Sequence, residues 1–206
     1  MFGRGGGDAQ PGRAGRVVAL DPDRALVRGA QADPARFEAL YRKYLAQVYS
    51  FAFCELRDHH EAEDVTERTF LAALDALPRF REEAGADPAN PEASTFRVWL
   101  FRIARNALAN ELRRRRRRPT APLEAAFGVA APVDVAARAA ARVEASAAWA
   151  AVDRLPDDRR RAVILRFVEE MSTAEIAGVL GRSEGAVRVL LHRALRAVAR
   201  DLETGR

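Results

Sequence analysis

Cysteine is almost absent from this 206-residue chain: Cys54 stands alone. No intramolecular disulfide can form, and no cysteine cluster can hold zinc. The thiol lies in the apolar run "SFAFCEL", which predicts a buried, inert side chain. Lysine is equally scarce, since Lys43 is the only one and the rest of the 34 basic residues are arginine. A GC-rich genome produces the same bias, so arginine content alone says little about nucleic acid. No apolar run approaches the ~18 residues of a membrane span, and the Gly-rich N-terminus "MFGRGGGDAQPGRAGRVVALD" lacks a signal-peptide h-region. A cytoplasmic protein without membrane insertion is expected. Alternating β-branched runs are missing, which argues against sheets. His59-His60 has no convergent partners at metal-ligand spacing, "GRGGGD" opens no strand-to-helix phosphate loop, and no nucleophile–base pair stands out. We expect no metal, no cofactor and no catalytic residues.

What is present is charge, and it is segregated. The chain carries 29 acidic residues against its 34 basic ones, for a formal charge of +5. Arg113 to Arg118 are consecutive, whereas Glu55 to Glu67 is acid-rich. Two surfaces with opposite electrostatic partners follow from that separation.

The periodicity predicts an all-α chain of two small helical domains on a flexible linker. Residues 1–30 read as a tail and residues 31–118 as the first domain. Its first helix starts at Asp33-Pro34, and Phe37, Leu40, Tyr41, Tyr44, Val48 and Phe51 form one apolar face. A second helix, about Glu61 to Ala76, turns Val65, Phe70, Leu71 and Leu74 inward, with an acidic first turn that suits the helix dipole. The loop "PRFREEAGADPANPEAS" leads to a third helix, roughly Thr95 to Arg113. Phe96, Leu100, Ile103 and Ala107 share one side; Arg102, Arg105 and Arg113 share the other, with Phe101 nearby and Asn106 and Asn110 on a flank. A basic face beside exposed aromatics can track phosphates and stack unpaired bases; a merely solvated arginine face fits the composition equally well. Residues 119–142 are Pro- and Ala-rich, and extended they reach over ~60 Å.

The second domain, 143–206, opens with Trp149, Val152 and Leu155, stops at Pro156, and restarts with Asp157 and Asp158 in a first helical turn. Val163, Ile164, Phe167 and Val168 are expected inward. Ser172 and Glu175 have capping-box spacing, Gly181 ends the short helix they start, and Ser183 caps the last one. Ala177, Gly181 and Val187 occupy the crossing, turn and packing positions of a helix-turn-helix, with Ile176, Leu180 and Leu190 around them. The last helix carries an apolar stripe of Val187, Leu190, Leu191, Ala194 and Val198. Arg188, Val189, His192, Arg193 and Arg196 lie opposite, a two-sidedness that fits a major groove.

Together these stretches resemble the extracytoplasmic-function (ECF) sigma factors, small bacterial RNA polymerase sigma subunits of the sigma-70 family. "FEALYRKYLAQVYSFAF", "EAEDVTERTFLAAL" and "FRVWLFRIARNALANELRRRRR" are similar to that family's region 2. "AVDRLPDDRRRAVILRFVEEMSTAEIAGVLGRSEGAVRVLLHRAL" is similar to its region 4. The resemblance implies binding to core RNA polymerase, through the β′ clamp helices and the β subunit, and to promoter DNA. An anti-sigma factor is implied as a further partner. Asp64, Glu67, Phe70, Glu61 and Glu63 would dock on the polymerase. The family's Gln-Glu is replaced here by Glu67-Arg68, which displaces the charge pattern by one residue. Arg102, Arg105, Asn106, Arg113, Arg114, Arg115 and Arg116 would meet the minus-ten element, with the loop of residues 80–95 holding a flipped base. Ser183, Arg188, Val189, His192, Arg193 and Arg196 would meet the minus-thirty-five element, Arg188 reading a guanine edge.

Two rival functions remain on sequence grounds. An autonomous helix-turn-helix regulator would bind duplex DNA without polymerase but has no need of the aromatic–arginine helix. A helical adaptor that binds only proteins has no need of a basic outward face.

Overall fold

The computed structural model describes residues 22–82, 94–117 and 147–204. Among them every regular element is helical: α1 (Arg24–Ala32), α2 (Phe37–Leu56), α3 (His59–Ala76), α4 (Phe96–Arg117), α5 (147–153), α6 (Asp157–Phe167), α7 (Thr173–Leu180) and α8 (Glu184–Thr204). The linker assigned to residues 119–142 and most of the loop before α4 lie outside the described residues.

The first departure from expectation is α1, which occupies part of the stretch assigned to the tail. Its Val27 and Ala30 are buried, and the buried carboxylate of Asp23 fixes it by accepting from Lys43 at 2.6 Å and from the Tyr44 hydroxyl. Gln31 adds side-chain bonds to the Leu77 and Phe80 carbonyls at 3.0 and 2.9 Å, so two apolar anchors and long-range polar bonds hold this helix, a pattern too sparse for periodicity to reveal.

Helices α2, α3 and α4 form the first block around Leu40, Tyr44, Val48, Phe51, Phe96 and Leu100, all fully buried. Asp58 starts α3 by accepting from the Glu61 amide at 2.9 Å. His59 has a packing role: its ring stacks on Phe53 with centroids 4.4 Å apart, and Nδ1 lies 2.6 Å from the Tyr49 hydroxyl. Cys54 is buried, and burial pushes its thiol pKa up. Four apolar side chains expected inside are not: Tyr41, Leu71, Leu74 and Phe167 are exposed. Conversely, Phe101, placed beside the basic face, is fully buried against Phe51 with ring centroids 5.5 Å apart. At about 100° per residue Phe101 follows Leu100 closely enough for a wide apolar face to take both.

The second block packs α8 across α5, α6 and α7. Ser172 and Glu175 form the expected capping box, with the Glu175 amide donating to Ser172 Oγ at 3.2 Å and the Ser172 amide donating to the Glu175 carboxylate at 2.8 Å. Gly181 follows α7 at φ 66°, ψ 40°, and the Arg182 amide returns to the Ala177 carbonyl at 3.0 Å, the closure of a Schellman motif. Ser183 Oγ accepts from the Ala186 amide at 3.2 Å and so opens α8. Ile176 and Val187 are fully buried where the two helices cross.

The blocks are not separate. Ile164, Leu165, Met171, Ile176, Ala177, Val179 and Val187 of the second join the apolar core of the first.

Nothing lies within 4 Å of where a Cβ on Gly181 would stand, so only its left-handed backbone resists substitution. Gly181→Ala is expected to cost about 1–2 kcal/mol, read as a lower urea midpoint with an unchanged slope. A loss within error would contradict this account of the turn.

Candidate polymerase and nucleic-acid interfaces

The five residues expected to dock on polymerase all lie on α3, but the helix splits them. Glu63, Glu67 and Phe70, at four- and three-residue spacing, face α2 and line an open groove of about 820 Å³ with Tyr41, Leu71 and Leu74. Phe70 is its floor, buried against Phe37 and Tyr41 edge-on. The exposed apolar rim is therefore Tyr41, Leu71 and Leu74, the very residues that periodicity turned inward.

Glu61 and Asp64 sit on the side toward α4. Glu61 lies 2.7 Å from Arg115 in an ion pair whose angle falls short of a good hydrogen bond. Arg68 accounts for the displaced charge pattern: it donates to Asp64 at 3.1 Å and to Glu111 at 2.8 Å. Burial works to raise the Glu111 pKa, but hydrogen bonds from Arg114 and Arg68 outweigh it and hold the carboxyl below its ordinary value.

The minus-ten candidates are all on α4, where their surroundings differ sharply. Asn106 and Arg113 are exposed, and Arg113 donates back to its own helix at the Ala109 carbonyl, 3.2 Å away. Arg114 is tied to Glu111 at 2.7 Å, Arg115 to the Leu56 carbonyl at 2.9 Å, and Arg116 lies 3.8 Å from Asp157. Arg105 is half-buried; desolvation, then the charges of Arg161 and Arg102, push its guanidinium pKa below the usual range. Arg102 donates from Nε to the Gly178 carbonyl at 2.8 Å. That carbonyl is among the last of α7, where the ladder leaves acceptors free and the dipole is negative.

Arg102 is one thread of a broad contact between the blocks. Buried Glu55, near the end of α2, accepts from Arg160 at 2.9 Å and Arg161 at 3.1 Å. Arg57 pairs with Asp153 at 2.9 Å and lies over the Trp149 ring. Arg97 bonds Gln47 at 3.1 Å, Glu175 at 3.4 Å and the Glu169 carbonyl. Gly178 makes the approach possible, since a Cβ there would stand 2.6 Å from Val98 Cγ1. None of Glu55, Arg97, Glu169 or Gly178 was legible as a site residue.

The minus-thirty-five candidates are grouped on α8 and its cap. Ser183, Arg188, Val189, His192, Arg193 and Arg196 are all exposed. Arg188 leans on Glu184 at 2.8 Å one turn before it, an exposed pair worth about 0.3–0.5 kcal/mol and readily exchanged. His192, Arg193 and Arg196 share a cleft with Arg159 and Arg200, two arginines the sequence did not single out.

This geometry pairs a groove and an arginine-rich helix in one block with a helix-turn-helix in the other. Two family signatures match the same division: Sigma-70 region 2 over residues 40–118, and Sigma-70, region 4 over residues 146–198. The chain belongs to the sigma-70 family, as an ECF RNA polymerase sigma factor. It is 34% identical to the ECF RNA polymerase sigma factor BldN of Streptomyces coelicolor, covering 91% of this chain and 70% of that one. It is 33% identical to the RNA polymerase sigma-H factor of Pseudomonas aeruginosa, over 91% of this chain and 97% of that one. Among solved structures, CnrH in complex with the cytosolic domain of CnrY aligns at a TM-score of 0.64 and 28% identity, covering 89% of this chain and 99% of that one. The fold is also similar to RpoE of Bartonella quintana, solved with the anti-sigma factor NepR, at a TM-score of 0.61 and 21% identity, over 82% and 98% of the two chains.

Glu169 makes the contact between the blocks sensitive to pH. Burial raises its pKa to about 7, against smaller opposing effects of Ser50 and Arg97. An acid whose pKa is raised by closure favours the closed form while it is protonated, so the contact weakens as pH rises toward about 7. Small-angle scattering between about pH 5 and about pH 7 should show a growing radius of gyration that levels off above that range, and Glu169→Gln should flatten that response. A pH response that persists in the variant would assign the titration to another group.

Proposed function

We propose that the chain works as a promoter-specificity subunit: it binds core RNA polymerase, takes it to particular promoters and helps open the DNA. The observation that carries this reading is the pairing, in one chain, of an acid-rimmed apolar groove with a helix-turn-helix whose outward face is basic. The groove between α2 and α3 suits an amphipathic helix with basic flanks, the chemistry expected of the β′ clamp helices. Tyr41, Leu71 and Leu74 would give contact area, and Glu63 and Glu67 would set orientation. Asn106 and Arg113 on α4 are the minus-ten candidates free to meet a strand at once, whereas Arg102 must first leave the Gly178 carbonyl. On α8, Arg188 would read a guanine edge with a bidentate fork and Val189 would meet a thymine methyl. The bond-making chemistry of transcription belongs to the polymerase, and this subunit contributes binding alone. Among the described residues no helix is long and apolar enough to cross a membrane, and we place the protein with the polymerase in the cytoplasm.

An anti-sigma factor is a further proposed partner. RpoE, which shares the fold, was solved with one, and the α2–α3 groove offers such an inhibitor the same docking chemistry as the polymerase. The autonomous-regulator reading draws no support from a groove and an arginine helix that it leaves idle.

Reconstitution with core polymerase tests the proposal. Promoter-specific transcripts are expected only when both are present; tight, specific duplex binding by the free chain without polymerase association would refute it. Glu67→Arg is expected to weaken core binding about tenfold or more, by placing like charge against a basic partner. Arg188→Ala should leave core affinity intact and cost about 1–3 kcal/mol in upstream recognition. Loss of core binding in the second variant would overturn its assignment to DNA.

A further inference from the structure

The arginines of the second block fall into two groups. Arg154 pairs with Asp201, Arg160 and Arg161 with Glu55, Arg182 with Asp158 and Arg188 with Glu184. Arg166 donates to the Met171 carbonyl at 2.9 Å. Arg159, Arg193, Arg196 and Arg200 have no carboxylate partner among the described residues, Arg200 donating only to the Arg196 carbonyl of its own helix at 3.3 Å, and these four, with His192, line one cleft of about 380 Å³ between α6 and α8. Scattered surface arginines repel one another and spread. Four guanidiniums converging on one concavity from two helices leave an electrostatic deficit that an anion relieves.

We propose that this cleft seats a DNA backbone phosphate at the edge of the upstream promoter element; the proposal rests on the reading of the chain as a promoter-binding subunit. Three observations converge on DNA as the source. His192 and Arg193 stand one helical turn beyond Arg188 and Val189 on α8, so the cleft continues the face that enters the groove. Residues 192 to 200 extend it by roughly 12 Å along the helix, away from the base-reading turn and toward the flanking backbone. Arg159 closes the cleft from the first turn of α6, a different helix, and fixes orientation as well as charge. Guanidinium forks match phosphate oxygens two at a time. Arg159 and Arg200 are thus positioning residues: they set the register of the helix-turn-helix on the duplex without reading sequence.

Phosphate contacts are blind to sequence, so the probe is a short DNA duplex of arbitrary sequence, titrated with the full chain across a range of salt. Each phosphate contact contributes about 0.9 to the slope of log affinity against log salt. The paired substitution Arg159→Ala with Arg200→Ala is expected to lower that slope by about 1, and Arg42→Ala with Arg154→Ala, which removes the same charge elsewhere, should barely change it. Arg159→Lys with Arg200→Lys should keep the slope while weakening binding a few-fold, because charge survives and the fork does not. Equal losses in both alanine pairs would overturn the site in favour of net charge alone. An unchanged slope would overturn it as well; if inorganic phosphate then raised the Tm of the parent chain but not of the variant, the cleft would belong to a free anion. Promoter-specific initiation by the parent chain with core polymerase tests the underlying reading separately: initiation with an unchanged slope removes only the cleft, whereas no initiation removes the reading itself.

Discussion

A buried carboxylate needs a cation, and Glu55 takes both of its cations from the other half of the chain. Its side chain is sealed at the end of α2, with Arg160 and Arg161 arriving from α6. An isolated charge at that depth would cost several kcal/mol, and removing one partner of a buried pair typically costs about 3–5 kcal/mol. The first block folded alone would therefore hold Glu55 only by exposing it. This one constraint links two domains that the sequence joins only by a linker, and Arg57, Arg97 and Arg102 follow the same logic on either side of it.

Helix α4 carries the consequence. One face builds the first block through Phe96, Leu100 and Phe101, while the opposite face meets α7 through Val98 and Arg102. The guanidinium proposed to handle the melted strand is thus spent on a helix-end carbonyl of the helix-turn-helix. Both proposed DNA surfaces belong to one apolar core in this arrangement, so using them together on a promoter requires the blocks to part. The contact is suited to parting. Besides the shared apolar side chains it uses ion pairs and carbonyl bonds that water or phosphate can replace, and Glu169 adds a carboxyl whose raised pKa makes the contact weaken as pH rises. The α2–α3 groove lies outside this contact, so the proposed docking of polymerase there does not itself require the blocks to part.

Much of this was written locally. The caps at Ser172 and Ser183, the turn at Gly181 and the buried crossing of Ile176 and Val187 follow from residue types at fixed spacing, and the structure places them so. The two-block division was legible for the same reason. What escaped was everything set by partners distant in sequence. Tyr41, Leu71 and Leu74 look like core residues because an open apolar groove has the same apolarity as a core. Phe101 looked exposed because it neighbours the basic face, yet a wide stripe can bury it. Arg114 and Arg115 looked like free cations within a run of six, and only the fold shows Glu111 and Glu61 waiting for them. Gly178 gave no signal at all, since a glycine inside a helix reveals its purpose only when Val98 is brought against it.

In the proposed promoter complex, polymerase and DNA separate the two blocks that the free chain holds together. The distance between a fluorophore on the exposed face of α4, at Asn106, and one on the outer face of α8, at Leu195, tests that separation most directly. It should be short and narrowly distributed in the free chain and should lengthen when core polymerase and promoter DNA are added. An unchanged distance in a complex that initiates transcription would contradict the account.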